Sequence, residues 1–312
     1  MGRGYCYGVT PRRAWITAAL VLIASPFAVR FASTFPWAQS LDTLAGSDWL
    51  LLAAAALGNI ISLAAKGGTW HLLLRPLTHP SVATTQAATF VGAAVNSISV
   101  SVSGEAARAQ LVASRTGISF GTAVASLVLT RIVETVALVV FLALALILVP
   151  LWSGARTVGV ALLGIAAVLV LVFRVLPWTR WNGTFIRMVA PGSRGSLVGA
   201  TALAVANWIV QWFAYHWCIA ATHTPTTAAL SLSTLVMANV AGIFRLTPGN
   251  IGVIQGSLIL GMGAFEIPAA NALAAGLALQ AVQVIPVLVI GVAIVGMQGF
   301  RQLTARRAEA MS

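Results

Sequence analysis

Long apolar runs separated by short polar loops fill the chain. They fall at roughly 14–35, 49–74, 132–150, 157–176, 197–221 and 271–299. A bilayer core about 30 Å thick is crossed by about 20 apolar residues of helix. Each run therefore predicts a membrane-spanning helix, the form that satisfies every backbone polar group within its own segment. The first run follows Arg3, Arg12 and Arg13. It reads as a span rather than a cleaved signal, because no Ala-x-Ala site comes after it.

Two further apolar stretches are broken. Residues 84–103 run into Ser99-Val100-Ser101-Val102-Ser103-Gly104, and 227–264 are interrupted by Arg245-Leu246-Thr247-Pro248-Gly249-Asn250. Serine, glycine and proline clusters end helices. Such breaks are tolerated at membrane depth only where protein or water satisfies the backbone. Both stretches are therefore predicted to be re-entrant hairpins. If each returns to the side it came from, twelve arginines, Arg75, Arg115, Arg194 and Arg301 among them, lie with both termini on the cytoplasmic side, against Arg156 outside. Full crossing would move Arg180, Arg187 and Arg194 outward, against the positive-inside bias. The two hairpins then enter from opposite faces.

A weak internal repeat agrees. Glu105 precedes Arg131 by 26 residues, with Glu134 following; Gln255 precedes Gln280 by 25, with Gln283 following. In each half a polar pair at i, i+3 shares one helical face. The halves run about 84–150 and 227–299, and opposed hairpins in two halves are a signature of inverted-repeat transporters. The stretches 118–150 and 268–299 exceed one simple span, so each is expected to hold a short returning helix plus a full one. The predicted fold is an all-α polytopic membrane protein, a single transmembrane domain over 1–312, with about six full spans and two oppositely oriented re-entrant hairpins.

Composition narrows the chemistry. The 312 residues are 59% hydrophobic and 8% charged, whereas soluble domains carry about 25% charged residues. The net charge of +12 is scattered over short loops, which points to anionic lipid rather than nucleic acid. There is no His-Glu-x-x-His, Cys-x-x-Cys, Gly-x-Ser-x-Gly or ATP-binding loop. His71, His79, His216 and His223 lack metal-ligand spacing, and Cys6 and Cys218 form no motif. No enzyme activity, metal or cofactor is expected.

Of six acids, Glu105 and Glu134 are the candidates at membrane depth, while Glu266 reads as a loop charge. Arg131 and Glu134 can neutralise each other on one face, either as a functional pair or as a packing device. Glu105 and Arg108 share a face just past the serine-glycine break, as a site or as an interfacial loop. Arg245, beside Pro248-Gly249, either holds a lipid phosphate or snorkels to the outer interface. Gln255, Gln280 and Gln283 either contact a head group or bond between helices. Lys66 is expected to snorkel to the cytoplasmic edge. Asn96, Asn207, Gln211, His216 and Asn239 could line a polar interior.

These residues carry a family resemblance. Gly104-Glu105-x-x-Arg108, Leu111, Arg115-x-Gly117 and Arg131-x-x-Glu134 resemble the first signature of the lysylphosphatidylglycerol synthase transmembrane-region family, whose members are described as flippase-like. Pro248-Gly249-Asn250-Ile251-Gly252-Val253-Ile254-Gln255-Gly256 is similar to its Pro-Gly-Gly-Leu-Gly-x-x-Glu-Gly. The resemblance spans roughly 45–300. Gln255 stands where the family usually has glutamate, and Gln280 where it often has arginine, so the second half lacks the charged partners. The resemblance implies an integral membrane protein that moves or handles lipids. The chain ends soon after its last expected span, so the soluble aminoacyl-lipid synthase domain of fused members is not expected.

The function expected is translocation of an anionic phospholipid or a polyprenyl-phosphate-linked glycolipid in a bacterial inner membrane. Glu105, Arg108, Arg131, Glu134, Arg245, Gln255, Gln280 and Gln283 would form the binding path. The alternative is a non-transporting accessory subunit that holds a lipid-modifying enzyme or glycosyltransferase. An intramembrane lipid-modifying enzyme comes last, for want of a nucleophile or metal ligands.

Overall fold

A computed structural model of the chain describes residues 36–99, 103–148, 193–243 and 247–311, with Ser33, Thr157, Val160, Ala161, Gly164, Arg187 and Met188. Among these residues it is all-helical, with nine α-helices and no strand. We number them α1 (Trp37–Ala45), α2 (Trp49–Leu74), α3 (Val82–Ile98), α4 (Ser103–Thr116), α5 (Phe120–Leu148), α6 (Arg194–Ala221), α7 (Ala228–Ile243), α8 (Val253–Gly263) and α9 (Ala269–Met311). Four helices are long and apolar enough to cross a membrane: Trp49–Leu74, Phe120–Val139, Arg194–Ala221 and Ala269–Met297. The runs expected at 14–35 and 157–176 lie almost wholly outside the described residues.

Local chemistry sets the helix starts. Asp48 caps α2, its carboxylate accepting from Leu50 N at 2.8 Å and Leu51 N at 3.2 Å. Ser81 Oγ accepts from Thr84 N at the head of α3, and Ser119 Oγ from Thr122 N at the head of α5. Each hydroxyl or carboxylate satisfies an amide that has no intrahelical partner.

The centre of the molecule is an antiparallel pair, α2 against α6. Asp48 N donates to Ala221 O at 2.8 Å, Ser62 Oγ to Asn207 Oδ1 at 2.6 Å, and Thr69 Oγ1 to Ala200 O at 3.4 Å. Small residues let the backbones approach: a Cβ on Gly58 would stand 3.2 Å from Ala214 Cβ. Lipid offers no hydrophobic drive for helices to associate, so close packing and interhelical hydrogen bonds hold such a seam.

A short-helix hairpin follows each member of this pair, and a long helix follows each hairpin. In the first half, α3 and α4 form the hairpin and α5 follows. Trp70 Nε1, near the end of α2, donates to Ser126 Oγ, near the start of α5, at 2.9 Å. The α3–α4 hairpin therefore leaves and returns at one end of the bundle. In the second half, Cys218 Sγ lies 3.9 Å from Ala275 O, so the α7–α8 hairpin does the same at the end of α6. Because α2 and α6 are antiparallel, these are opposite ends. At about 1.5 Å per residue, α3 and α7 extend only about 25 Å.

The long helices correct one expectation. Residues 118–150 and 268–299 do not each split into two helices; α5 and α9 are continuous. No breaker cluster interrupts 122–148, and a helix longer than the bilayer core can tilt. In α9, Pro286 removes the amide that would bond Val282 O. Asn59 on α2 donates its side-chain amide to that carbonyl at 3.4 Å, so the helix runs on.

Apolar side chains also cover the outside. Leu50 is 79% exposed, with Trp49, Val198, Leu260 and Val292 similarly bare. Large apolar side chains left bare on several helices suit a lipid solvent.

Candidate functional site

Hairpin α3–α4 is built around missing side chains. A Cβ on Gly92 would collide with Arg108 Cγ and Gly104 O, and one on Gly104 with Gly92 O and Asn96. Because both positions are glycine, the two helices touch and Arg108 slides between them. Asn96 Oδ1 accepts from Gly104 N at 3.0 Å and so caps α4 across the break.

The first turn of α4 then presents Glu105. Its Oε2 accepts from Arg108 Nη1 at 3.2 Å, and its Oε1 accepts from Arg131 Nη2 on α5. Arg131 Nη1 also donates to Glu134 Oε2 at 2.7 Å. The two i, i+3 pairs visible in the sequence are thus one chain of four charges, Arg108–Glu105–Arg131–Glu134. Arg108 and Glu134 are buried, with side chains 7% and 9% exposed. An uncompensated charge at this depth is costly, and the alternation of signs offsets that cost.

Two tryptophans frame the chain. Arg108 lies over the Trp70 ring at 4.8 Å, and its Nη2 reaches Thr89 Oγ1 at 3.4 Å. Trp208 Nε1 donates to Glu134 O at 3.1 Å, and Lys66 Nζ lies over the Trp208 ring at 5.9 Å. Lys66 therefore does not snorkel outward as expected; it faces inward and interacts electrostatically with all four charges. Lys66, Arg108 and Arg131 thus stand against Glu105 and Glu134, three basic groups to two carboxylates. The Glu134 Oε1 and Arg108 Nε atoms are buried without a hydrogen-bond partner.

The cluster opens on one side. The Arg131 side chain is 47% exposed. With Glu105 it borders a groove of about 270 Å³ between α4 and α5, walled by Ala106, Phe120, Val124, Leu127 and Val128. A cation at the mouth of an apolar groove matches an amphiphile with an anionic head.

The second half has a different site. The tips of the two hairpins meet where Ser97 O of α3 faces Gly249, which lies in a tight turn at φ +59°. A pocket of about 180 Å³ lies at this junction, reached by Asn96, Ser97, Thr247, Asn250 and, from α9, Gln280 and Gln283. Gln280 Nε2 donates to Gly249 O at 2.8 Å, and Gln283 Nε2 to Tyr215 OH at 3.4 Å. Gln255 is not with them. It is buried, its Oε1 accepts from Gly252 N at 2.7 Å, and its Nε2 donates to Gly276 O at 3.4 Å. Arg245 lies outside the described residues.

Of the remaining polar candidates, Asn207 accepts from Ser62 across the α2–α6 seam, His216 Nδ1 contacts Ser231 Oγ at 3.2 Å, Asn239 donates to Leu235 O of its own helix, and Gln211 Oε1 is buried without a hydrogen-bond partner. Lys66, Trp70, Trp208 and Asn59 were missed as parts of the interior. A signal existed for the first two, since Lys66 and Trp70 sit at i, i+4 on one helical face. Among the described residues no group of three His, Cys, Asp or Glu could hold a metal ion.

Comparison with known proteins bears on the whole arrangement. A search of curated proteins gave no match. The family model described as "Lysylphosphatidylglycerol synthase TM region" matches residues 15–291, which include both hairpins, α5, the first half of α9 and the charge chain. The chain belongs to the lysylphosphatidylglycerol synthase TM region family.

Proposed function

We propose that the chain is a flippase-like translocase for an anionic lipid, a phospholipid or a polyprenyl-phosphate-linked glycolipid, in a bacterial plasma membrane. One observation carries this reading: a charge chain, with Lys66 as a third basic group beside its two arginines, opens through Arg131 onto an apolar groove. The membership of a lipid-handling membrane family supports it.

In this reading both hairpins enter the bilayer, from opposite faces, and both termini are cytoplasmic. The lipid tail lies against Phe120, Val124 and Val128 and stays in the membrane. The phosphate exchanges with Glu105 and Glu134 for the fork of donors on Arg131, a geometry suited to bidentate binding. The released Glu105 stays bonded to Arg108, and Glu134 stays within the field of Lys66. The head group then passes toward the junction of the hairpin tips, beside Gln280 and Gln283. No covalent chemistry is assigned to the chain.

The test is transport in liposomes with head-group-labelled lipids, combined with native mass spectrometry of the gently solubilised protein. Arg131→Ala is expected to abolish transport and to lose one co-purifying anionic lipid while remaining folded. Normal transport by a folded Arg131→Ala variant would sink the assignment.

A second reading has its own support. Gln255, Gln280 and Gln283 all bond within the fold, as interhelical glue does. A non-transporting accessory subunit for a lipid-modifying enzyme or glycosyltransferase would use them so, and their substitution would then lower stability and leave flux untouched.

A further inference from the structure

The pocket where the hairpin tips meet is polar, and the described residues that line it carry no charge. Its side chains offer both donors and acceptors. Gly104 N can only donate, so Asn96 turns its oxygen to it at 3.0 Å and keeps both N–H groups of its amide. The amides of Asn250, Gln280 and Gln283 each use one N–H, on Gly242 O at 3.5 Å, Gly249 O at 2.8 Å and Tyr215 OH at 3.4 Å. No described bond takes up the other. Thr247 Oγ1 donates its hydrogen to Ile251 O at 2.7 Å and is left as an acceptor. Ile254 and Val284 add an apolar wall.

Neither a phosphate nor an ammonium finds a counter-charge in such a lining. A hydroxyl finds a match, since it donates one hydrogen and accepts through two lone pairs. A carboxamide N–H beside a hydroxyl oxygen meets both roles. The C–H face of a sugar or cyclitol ring suits the apolar wall. Water can make the same bonds, but a ring with several hydroxyls at fixed positions replaces several ordered waters at once and releases them. The pocket volume is about 180 Å³, that of about six waters at about 30 Å³ each, which is room for one ring. Asn96 lines the pocket and caps Gly104, whose neighbour Glu105 pairs with Arg131. One wall, Asn96–Gly104–Glu105, thus stands between the pocket and the groove at Arg131.

We propose that the junction of the two hairpin tips binds an uncharged polyhydroxyl head group, a sugar or cyclitol ring carried on the lipid's phosphate, through Asn96, Asn250, Gln280, Gln283 and Thr247. The lipid, with its phosphate at Arg131, rests on the translocase reading; the ring is what the pocket adds to it. A lipid whose phosphate bears no hydroxylated ring leaves the pocket to water.

The experiment is native mass spectrometry of the full chain in a polyoxyethylene detergent, which carries no sugar of its own, titrated with two pairs of lipids. Each pair shares one tail and one phosphodiester charge: hexosyl against methyl polyprenyl phosphate, and phosphatidylinositol against phosphatidylmethanol. In at least one pair the ring-bearing lipid should bind at least about tenfold more tightly than its methyl ester, the effect of two or three hydrogen bonds. The pair that shows it names the tail. Thr247→Val and Gln283→Leu should each lower that ratio by at least about threefold, while Thr247→Ser, which keeps the hydroxyl, should keep it. Ratios near one in both pairs overturn the proposal, since water alone then fills the pocket. So does a ratio that neither Thr247→Val nor Gln283→Leu lowers, which sets the ring elsewhere. Arg131→Ala should weaken both members of a pair alike. A preserved ratio in a protein that transports no lipid in liposomes removes the translocase reading and leaves the ring site standing, so the two fail separately.

Discussion

Glu105 and Arg131 are 26 positions apart in the chain and form an ion pair that ties the α3–α4 hairpin to the helix that follows it. Each also pairs with a neighbour on its own helix, Glu105 with Arg108 and Arg131 with Glu134. Neutralising either member already breaks the bond between them, so the second substitution finds that interaction gone. Glu105→Gln and Arg131→Gln should therefore be non-additive, with a coupling of about 1–3 kcal/mol. Thermal unfolding of the two single variants and the double variant measures it. Strict additivity would mean that the hairpin is held by apolar packing alone.

A second prediction concerns the turn between α7 and α8. Gly249 has φ +59°, and a Cβ there would stand 2.9 Å from Ser97 O. Gly249→Ala faces both the left-handed backbone cost, about 1–2 kcal/mol, and a collision with backbone that cannot swing away. Gly256, inside α8, has nothing within 4 Å of its would-be Cβ. Gly256→Ala should be neutral or stabilise by up to about 1 kcal/mol, because alanine removes backbone entropy from the unfolded chain. Comparing the two variants separates conformational from generic effects of removing glycine.

A third follows from Asn59, whose amide reaches both Val282 O and Gln283 O at 3.4 Å. The first of these is orphaned by Pro286. Asn59→Leu should destabilise the protein by about 1–3 kcal/mol, the usual cost of a buried group left unsatisfied. In a Pro286→Ala background the Val282 carbonyl regains its intrahelical partner, and the same substitution should cost much less. An equal cost in both backgrounds would show that Asn59 acts through something other than the proline gap.

The reach of sequence reasoning differs between elements for physical reasons. The run 49–74 coincides with α2 because an apolar segment follows a good capping residue, Asp48. The run at 132–150 began too late. Thr122, Ser126, Thr130, Arg131 and Glu134 lower the hydropathy of the first half of α5, and their polarity is met inside the fold, as when Thr130 Oγ1 bonds Ser126 O at 2.9 Å. Spacing exposed both i, i+3 ion pairs, since helical geometry is local. Joining them needed the tertiary contact of Glu105 with Arg131. The repeat was legible as pattern and not as contact. Glu105 meets Arg131 directly, whereas Gln255 meets Gly276, one turn before Gln280, because a neutral amide finds its bond in the nearest backbone.

Lys66 gives the last test, because it decides the balance of basic and acidic groups in the cluster. With Arg108 and Arg131 it makes three basic groups against Glu105 and Glu134, and it stacks on Trp208 instead of reaching for the interface. Lys66→Met keeps a side chain of similar length beside the ring and removes the basic group, which leaves two arginines against two carboxylates. A basic residue near a membrane contributes about 1 kcal/mol to holding anionic lipid, which is about fivefold in affinity. Native mass spectrometry of Lys66→Met should show an anionic lipid retained about fivefold more weakly than in the unaltered protein, and Lys66→Arg should restore it. Melting should not fall in Lys66→Met, since the substitution removes a half-buried charge and no hydrogen bond. Unchanged lipid retention would place Lys66 outside the binding field and leave the anion to Arg131 alone.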